Sequence, residues 1–366
     1  MIAAGLAFLV DRGRLENSDG VSFSAAGAAV SASTDPTVVS SGTSLGTASS
    51  TAADANPTSS PSVEVTAPVT PTANPPTTEP SATSSPPPAP TTSPTPVPPR
   101  VALSSETVGI GETLGVRVFA PEAGSASVVA AGLAYPLLSE GDGFLFGVVG
   151  LPLNATLGPS QLSITLRDDL GTLIEERIVG FEVTTVDRPV DYLELTEEQG
   201  AVLTPEAAVL ESNLRIEQFL TFDRQRRWTG LFRMPAEGFA TTEFGQGRSI
   251  NGGPIGGFHS GADIASEAGT AIQAAAAGRV AWAGEMPIRG NTVIVDHGAG
   301  VKTGYHHLQE ILVQVDQEIA AGTVVGLMGS TGLSTGPHLH WELTIYGVNV
   351  DPKTWTRVDF TASALD

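Results

Sequence analysis

Between Phe232 and Trp355 the chain is broken by turn residues so often that it has room only for short strands and tight returns. Thr270–Gln273, Gly278–Ala283, Thr292–Asp296, Lys302–His306, Val324–Met328 and His338–Thr344 are β-type runs. Gly284, Arg289-Gly290-Asn291, His297-Gly298-Ala299-Gly300, Gly329 to Gly332 and Gly336-Pro337 separate them. Parallel neighbours need crossovers of about a dozen residues or more. These connections are shorter, so the pattern predicts a mostly antiparallel sheet, closed by Asp351-Pro352 and Trp355.

All six histidines fall in this stretch: His259, His297, His306, His307, His338 and His340. Side chains two apart on a strand share a face. His338 and His340 therefore project together, and Glu342 has the same parity. His259 and Asp263 also share parity, with only Ser260, Gly261 and Ala262 between them. The chain has no cysteine, so any metal site must be built from imidazole and carboxylate. Two imidazoles and a carboxylate with a fourth position open to water make a catalytic zinc pattern. The His-Glu-x-x-His helix of other zinc proteases is absent, so no glutamate is pre-assigned as base.

The remaining polar residues have plainer readings. His297, in Asp296-His297-Gly298, reads as a structural turn histidine. His306 and His307 are adjacent on a strand, so alternation expects only one of them at the site. Glu342 reads first as a rim carboxylate, with a role in orienting a histidine as the other reading. Trp282, Tyr305 and Trp341 are either groove walls or core aromatics. Gly245 to Gly257 is glycine-rich and leads into His259, which suggests a mobile wall of a narrow groove. A phosphate-cradling loop is excluded, because the Lys-Ser/Thr that completes one is missing.

Taken in order, the motifs resemble the lysostaphin-type (LytM-like) zinc metallopeptidase domain over residues 232–355. The resemblance rests on Phe244-Gly245, His259-x-Gly261-x-Asp263, Gly269-Thr270 with Ala274, and Gly278-x-Val280. It continues through Gly290-Asn291, Asp296-His297-Gly298, Thr303-x-Tyr305-x-His307-Leu308 and Gly329-x-Thr331-Gly332-x-Ser334-Thr335-Gly336-Pro337-His338-Leu339-His340. It implies a zinc ion held by His259, Asp263 and His340. His307 and His338 would be the catalytic histidines outside the ligand set, leaving His306 as filler. The implied substrate is a peptidoglycan stem or cross-bridge peptide. Degenerate members of the family bind the wall or regulate other hydrolases without cutting, but they lose ligands, and here the set is complete. Asp316 stands where the family often has Gly.

Upstream, the expected organisation has four parts before the C-terminal domain and its tail. Residues 1–19 hold an apolar run, Ile2 to Val10, read either as the remnant of an export segment or membrane anchor or as a frayed end. Residues 20–100 are Ser/Thr/Pro-rich and cannot bury enough apolar surface to fold; they read as an extended, disordered spacer. Residues 101–186 alternate short β runs with Gly, Pro and Asp turns, which predicts a small Ig-like β-sandwich. Residues 187–230 form a helical connector: Thr204-Pro205-Glu206 opens a helix, and Leu210, Leu214 and Phe219/Leu220 suggest an apolar stripe that packs on a neighbouring domain. Arg224, Arg226 and Arg227 follow as a salt-bridged face. The peptidase domain is assigned to 231–357 and a tail to 358–366. With 39 acidic against 18 basic residues, no region is basic and nucleic acid is not an expected partner. The expected location is outside the cytoplasm, secreted or in the cell envelope, and the oligomeric state is left open.

Overall fold

The computed structural model describes residues 97–361, together with the backbone of 15–16 and 22–23. The expectations for the N-terminal run, most of the 20–100 spacer and the end of the tail lie outside the described residues. Among the described residues no helix is long and apolar enough to cross a membrane.

Residues 100–184 form a β-sandwich of eight strands. The expected short β runs are present, among them Thr113–Phe119, Phe144–Gly150, Gly158–Arg167 and Leu173–Thr184. Leu133–Gly141 belongs to both sheets. Its first half pairs with Ser125–Ala130 and its second half with Phe144–Gly150. Leu114, Val116, Val118, Leu162, Ile164 and Leu166 alternate inward to fill the core, as period two requires.

The C-terminal domain is built on an antiparallel sheet. Its order runs Phe239–Thr242, Ala262–Ala265, His338–Ile345, Val301–Ile311, Gly290–Asp296, Gly278–Met286 and Glu318–Ile319. All six β runs expected from sequence are strands, each within a few residues of its expected ends. Asp316 adopts a left-handed φ of 68°. Such backbone explains a family preference for Gly there, and Asp is among the few other residues that tolerate it. Asp351 caps a 3-10 turn, Pro352–Thr356. This turn carries Trp355 into a cluster with Trp228, Phe232 and Phe360. The Trp355 indole donates to Thr113 Oγ1 at 2.9 Å, tying the sandwich to the C-terminal domain. Phe360, in the expected tail, is buried there.

The connector departs from expectation in two ways. Asp191–Leu193 is a strand, paired in parallel with Gly247–Ile250, which forms a hairpin with Ile255–Phe258. The glycine-rich wall is thus a three-stranded sheet. The helix Pro205–Leu220 does form with Thr204 as its cap, but its buried residues are Ala208 and Glu211, while Leu210 and Leu220 are exposed. The face it presents to the domain is polar because the surface beneath it carries Arg289 and Glu342, which pair with Glu211 and Arg215 of the helix. At its other end Lys302 Nζ, buried, donates to the carbonyls of Gln218 and Thr221, satisfying acceptors that a helix C-terminus leaves open.

Candidate metal centre and cleft

Strand register assembles the site. On the strand His338–Ile345, His340 lies opposite Asp263 on one side and opposite His306 on the other. Opposed residues on one face are within side-chain reach. His259 enters from the turn before Ala262–Ala265. Its amide donates to the Gln246 carbonyl, and its carbonyl accepts from Gly245. Between His259 and Asp263 the backbone slides under Trp341. A Cβ on Gly261 would stand 2.4 Å from the Trp341 carbonyl oxygen and 3.0 Å from His340 Cε1, so this position has no room for a side chain.

His259 Nε2, Asp263 Oδ1 and His340 Nδ1 form a triangle. Its edges are 2.9 Å between the two nitrogens, 2.9 Å from His259 to Asp263 and 2.7 Å from His340 to Asp263. All three residues are buried. The outer nitrogens determine what faces inward. His259 Nδ1 lies 3.0 Å from the Glu243 carbonyl, which can only accept, so Nδ1 carries the proton. His340 Nε2 lies 3.0 Å from Glu342 Oε1 and by the same logic donates to it. Neutral rings held this way direct two lone pairs at a carboxylate oxygen. Three electron-rich atoms at this spacing call for a shared positive centre.

Where protons rather than a cation fill the triangle, the three groups shift one another. Burial pushes Asp263 up, but protons on the inward nitrogens of His259 and His340 would outweigh it and hold the carboxyl far below its usual range. Burial pushes His340 down, but Asp263 and Glu342 on either side outweigh it and raise it. His259 is lowered, chiefly by burial. The donor set therefore fits a divalent cation held by two nitrogens and one oxygen.

His307 and His338 stand beside the triangle. Their ring centroids are 4.8 Å apart, and His338 Nε2 lies 3.9 Å from Asp263 Oδ1. Each donates Nδ1–H to a backbone carbonyl, His307 to Thr331 at 2.7 Å and His338 to Gly336 at 2.8 Å. Nε2 of each is thereby the acceptor. Both rings line a cleft of about 300 Å³. Burial, with His338 and His340 nearby, holds His307 well below the usual imidazole range, so it is neutral near pH 7.

Simple alternation fails at His306 and His307. His307 has a left-handed φ of 60°, which breaks the period of two and brings both rings beside His340. Their centroids lie 5.4 Å and 6.0 Å from it. His306 is more than filler. Its Nδ1 is bonded to Thr292 Oγ1 at 3.0 Å, its Nε2 approaches Glu342 Oε2 at 3.6 Å, and burial drives it down to about 4.

Glu342 is not on the rim. It is 3% exposed and accepts from Ser260 Oγ at 2.5 Å, Arg289 Nη2 at 2.5 Å and Arg215 Nη2 at 2.7 Å, besides His340. Burial favours the neutral acid, but Arg215 and Arg289 prevail and keep it ionised. Sequence reasoning missed Ser260, Arg289 and Arg215. Glu342 did carry a signal, its shared parity with His338 and His340; the other three carried none.

Tyr305 and Trp341 are core residues, fully buried, and Trp282 does not line the cleft. Leu193 and Leu195 of the connector do line it, with Arg248 and the Leu333–Pro337 loop. Arg248 Nη2 lies 3.5 Å from Asp263 Oδ2. His297 is structural in place: fully buried, with Nδ1 donating to the Ala277 carbonyl. Arg226 pairs with Glu140, and Arg227 with Asp223 and Glu318, as a salt-bridged face.

Residues 257–352, which carry this sheet and its buried His-Asp-His group, match Peptidase family M23. Within the family their motifs are of the lysostaphin (LytM-like) type. The segment is similar to DD-carboxypeptidase/endopeptidase Mpg of Neisseria meningitidis serogroup B, with 43% identity over 94 residues, 26% of this chain and 22% of the relative. It is also similar to Peptidoglycan DD-endopeptidase ShyA of Vibrio cholerae, with 42% identity over 89 residues, 24% of this chain and 21% of the relative. The chain thus spans about a fifth of the length of these curated relatives. A crystal structure from Pseudomonas aeruginosa described as an M23 peptidase superposes with a TM-score of 0.50 and 27% identity, covering 68% of this chain and 93% of its own. That coverage extends well upstream of residue 257.

Proposed function

We propose that this chain is a zinc-dependent endopeptidase that hydrolyses peptide bonds in the stem or cross-bridge peptides of peptidoglycan, outside the cytoplasm. One observation carries the reading: a buried triangle of two imidazole nitrogens and a carboxylate oxygen, flanked by two imidazoles whose Nε2 atoms are left as acceptors. The names of the relatives support the substrate class. Residues 97–230 carry no comparable group among the described residues. We assign the sandwich as a spacer or docking module and 187–230 as a connector that completes the cleft.

His259, Asp263 and His340 would hold the zinc ion. When bound, zinc supplies Lewis acidity, acidifying a water and polarising a carbonyl. The rest is done by side chains of the chain itself. The cleft orients the peptide against His307 and His338. One of these imidazoles takes a proton from the attacking water at Nε2, and the pair returns a proton to the departing amine nitrogen. The proton account closes: the water oxygen bonds to the carbonyl carbon, the C–N bond breaks, and the amine leaves protonated. Leu193 and Leu333 at the cleft wall limit competing water.

The test uses defined muropeptides with product masses, alongside metal analysis. Chelation should abolish cleavage and zinc should restore it. His340→Ala should lose both metal and activity. His307→Ala and His338→Ala should keep the metal yet lose about 10²-fold or more in rate. Wall binding without any cleavage by the zinc-loaded chain would overturn the reading in favour of a non-catalytic wall-binding regulator.

A further inference from the structure

The helix Pro205–Leu220 lies outside the matched residues 257–352, yet it completes the polar surroundings of His340. From it, Arg215 Nη2 reaches Glu342 Oε2 at 2.7 Å. One turn earlier, Glu211, 2% exposed, accepts the backbone amides of Ile288 at 2.6 Å and Arg289 at 3.0 Å, and also pairs with the Arg289 guanidinium. Arg289 in turn donates to Glu342 Oε1 from Nη2 at 2.5 Å and from Nε at 3.1 Å. Its Nη2 also reaches Ser260 Oγ at 3.0 Å. The result is a circuit of two carboxylates and two guanidiniums, Glu211–Arg289–Glu342–Arg215, closed only by the helix that carries both ends. Buried ion pairs contribute little net stability but specify geometry, and removing one partner is costly.

The circuit ends on His340. Glu342 Oε1 takes the His340 Nε2 proton at 3.0 Å, so Nδ1 presents its lone pair to Asp263 and His259. Carboxylates that accept from a metal-bound imidazole fix its tautomer and ring orientation. Arg289 and Ser260 hold Oε1 beside His340, and Arg215 fixes the carboxylate plane by holding Oε2 on the other side.

We propose that Arg215 and Glu211 are positioning residues for the metal centre, acting through Arg289 and Glu342, so that metal retention depends on a helix about forty residues upstream of the family domain. The proposal rests on the reading of His259, Asp263 and His340 as a metal site. The helix is then part of the site's framework, and its docking and the orientation of His340 form one structural unit.

Zinc affinity is measured on the full chain by competition with a chromophoric chelator. The cobalt-substituted absorption spectrum and the thermal midpoint of the metal-free protein are recorded alongside. Glu342→Gln should weaken zinc binding about 10- to 100-fold. Arg215→Met should weaken it several-fold and alter the cobalt spectrum, and Arg215→Lys, which keeps the charge but not the fork, should fall between. The double variant should bind no more weakly than Glu342→Gln alone, because Arg215 acts through Glu342. The proposal is overturned if Arg215→Met and Arg215→Lys bind zinc like the wild type, or if the double variant's losses simply add. Arg215→Lys serves where Arg215→Met does not fold. Failure of the wild type to bind zinc would instead remove the metal-site reading, and this proposal with it.

Discussion

His297 offers a measurement in which the structure sets both sign and size. Its imidazole is fully buried and stacks edge-on to Phe232 at 5.0 Å. Nδ1 donates to the Ala277 carbonyl at 2.8 Å, so Nε2 accepts from the Thr303 hydroxyl at 2.8 Å. Thr303 Oγ1 is bonded in turn to the Tyr305 hydroxyl at 2.9 Å. No carboxylate contacts the ring directly, and burial pushes His297 down to about 4. In the unfolded chain the same group titrates near 6.5. Above that pH both states are neutral and the full stability is present. As pH falls from about 6.5 towards 4 the unfolded chain binds the proton first, so stability drops; below about 4 both states are protonated and the loss saturates. Between pH 7.5 and 4.5 the linkage amounts to about 2–3 kcal/mol. His297→Asn keeps a donor for Ala277 and does not titrate. Urea unfolding of the metal-free protein at both pH values should show the wild type losing about 2–3 kcal/mol more than the variant. Equal losses in the two proteins, or an NMR titration of His297 near 6.5, would refute the reasoning.

Two further outcomes follow from the geometry. Gly261→Ala would drive a Cβ into the Trp341 carbonyl; overpacking of this kind costs about 1–3 kcal/mol. The thermal midpoint should fall by several degrees and zinc affinity with it; Ser260→Ala, which removes a donor to the buried Glu342 carboxylate, should cost about 1.5–3 kcal/mol in stability. Arg226→Ala, by contrast, removes a partly exposed pair with Glu140 and should change stability by no more than about 1 kcal/mol; a larger drop in denaturant midpoint would mean that the arginine face is more than a solvated one.

Much of the C-terminal domain could be read in the sequence because its determinants are local. Turn residues set the strand ends, and alternation put His338 and His340 on one face. Short connections imposed antiparallel pairing, which the register of Asp263 and His306 against His340 realises. The sandwich adds strands such as Ser125–Ala130 and Leu133–Gly141, marked off by Gly124, Gly132 and Asp142-Gly143. One of them also changes sheets midway, which no local pattern encodes.

Tertiary structure decided the rest. Whether Glu342 faces water or a buried guanidinium depends on what covers it, and the cover comes from Arg215, 127 residues away in the chain. The helix was legible but its packed face was not, because an apolar stripe and a charged one compete, and the partner surface selects between them. His307 escaped alternation through a single left-handed residue, a backbone state set by the surrounding sheet. Sequence periodicity determines which side chains share a face. Which of those faces is sealed from water, and by which distant charge, is settled only when the chain closes on itself.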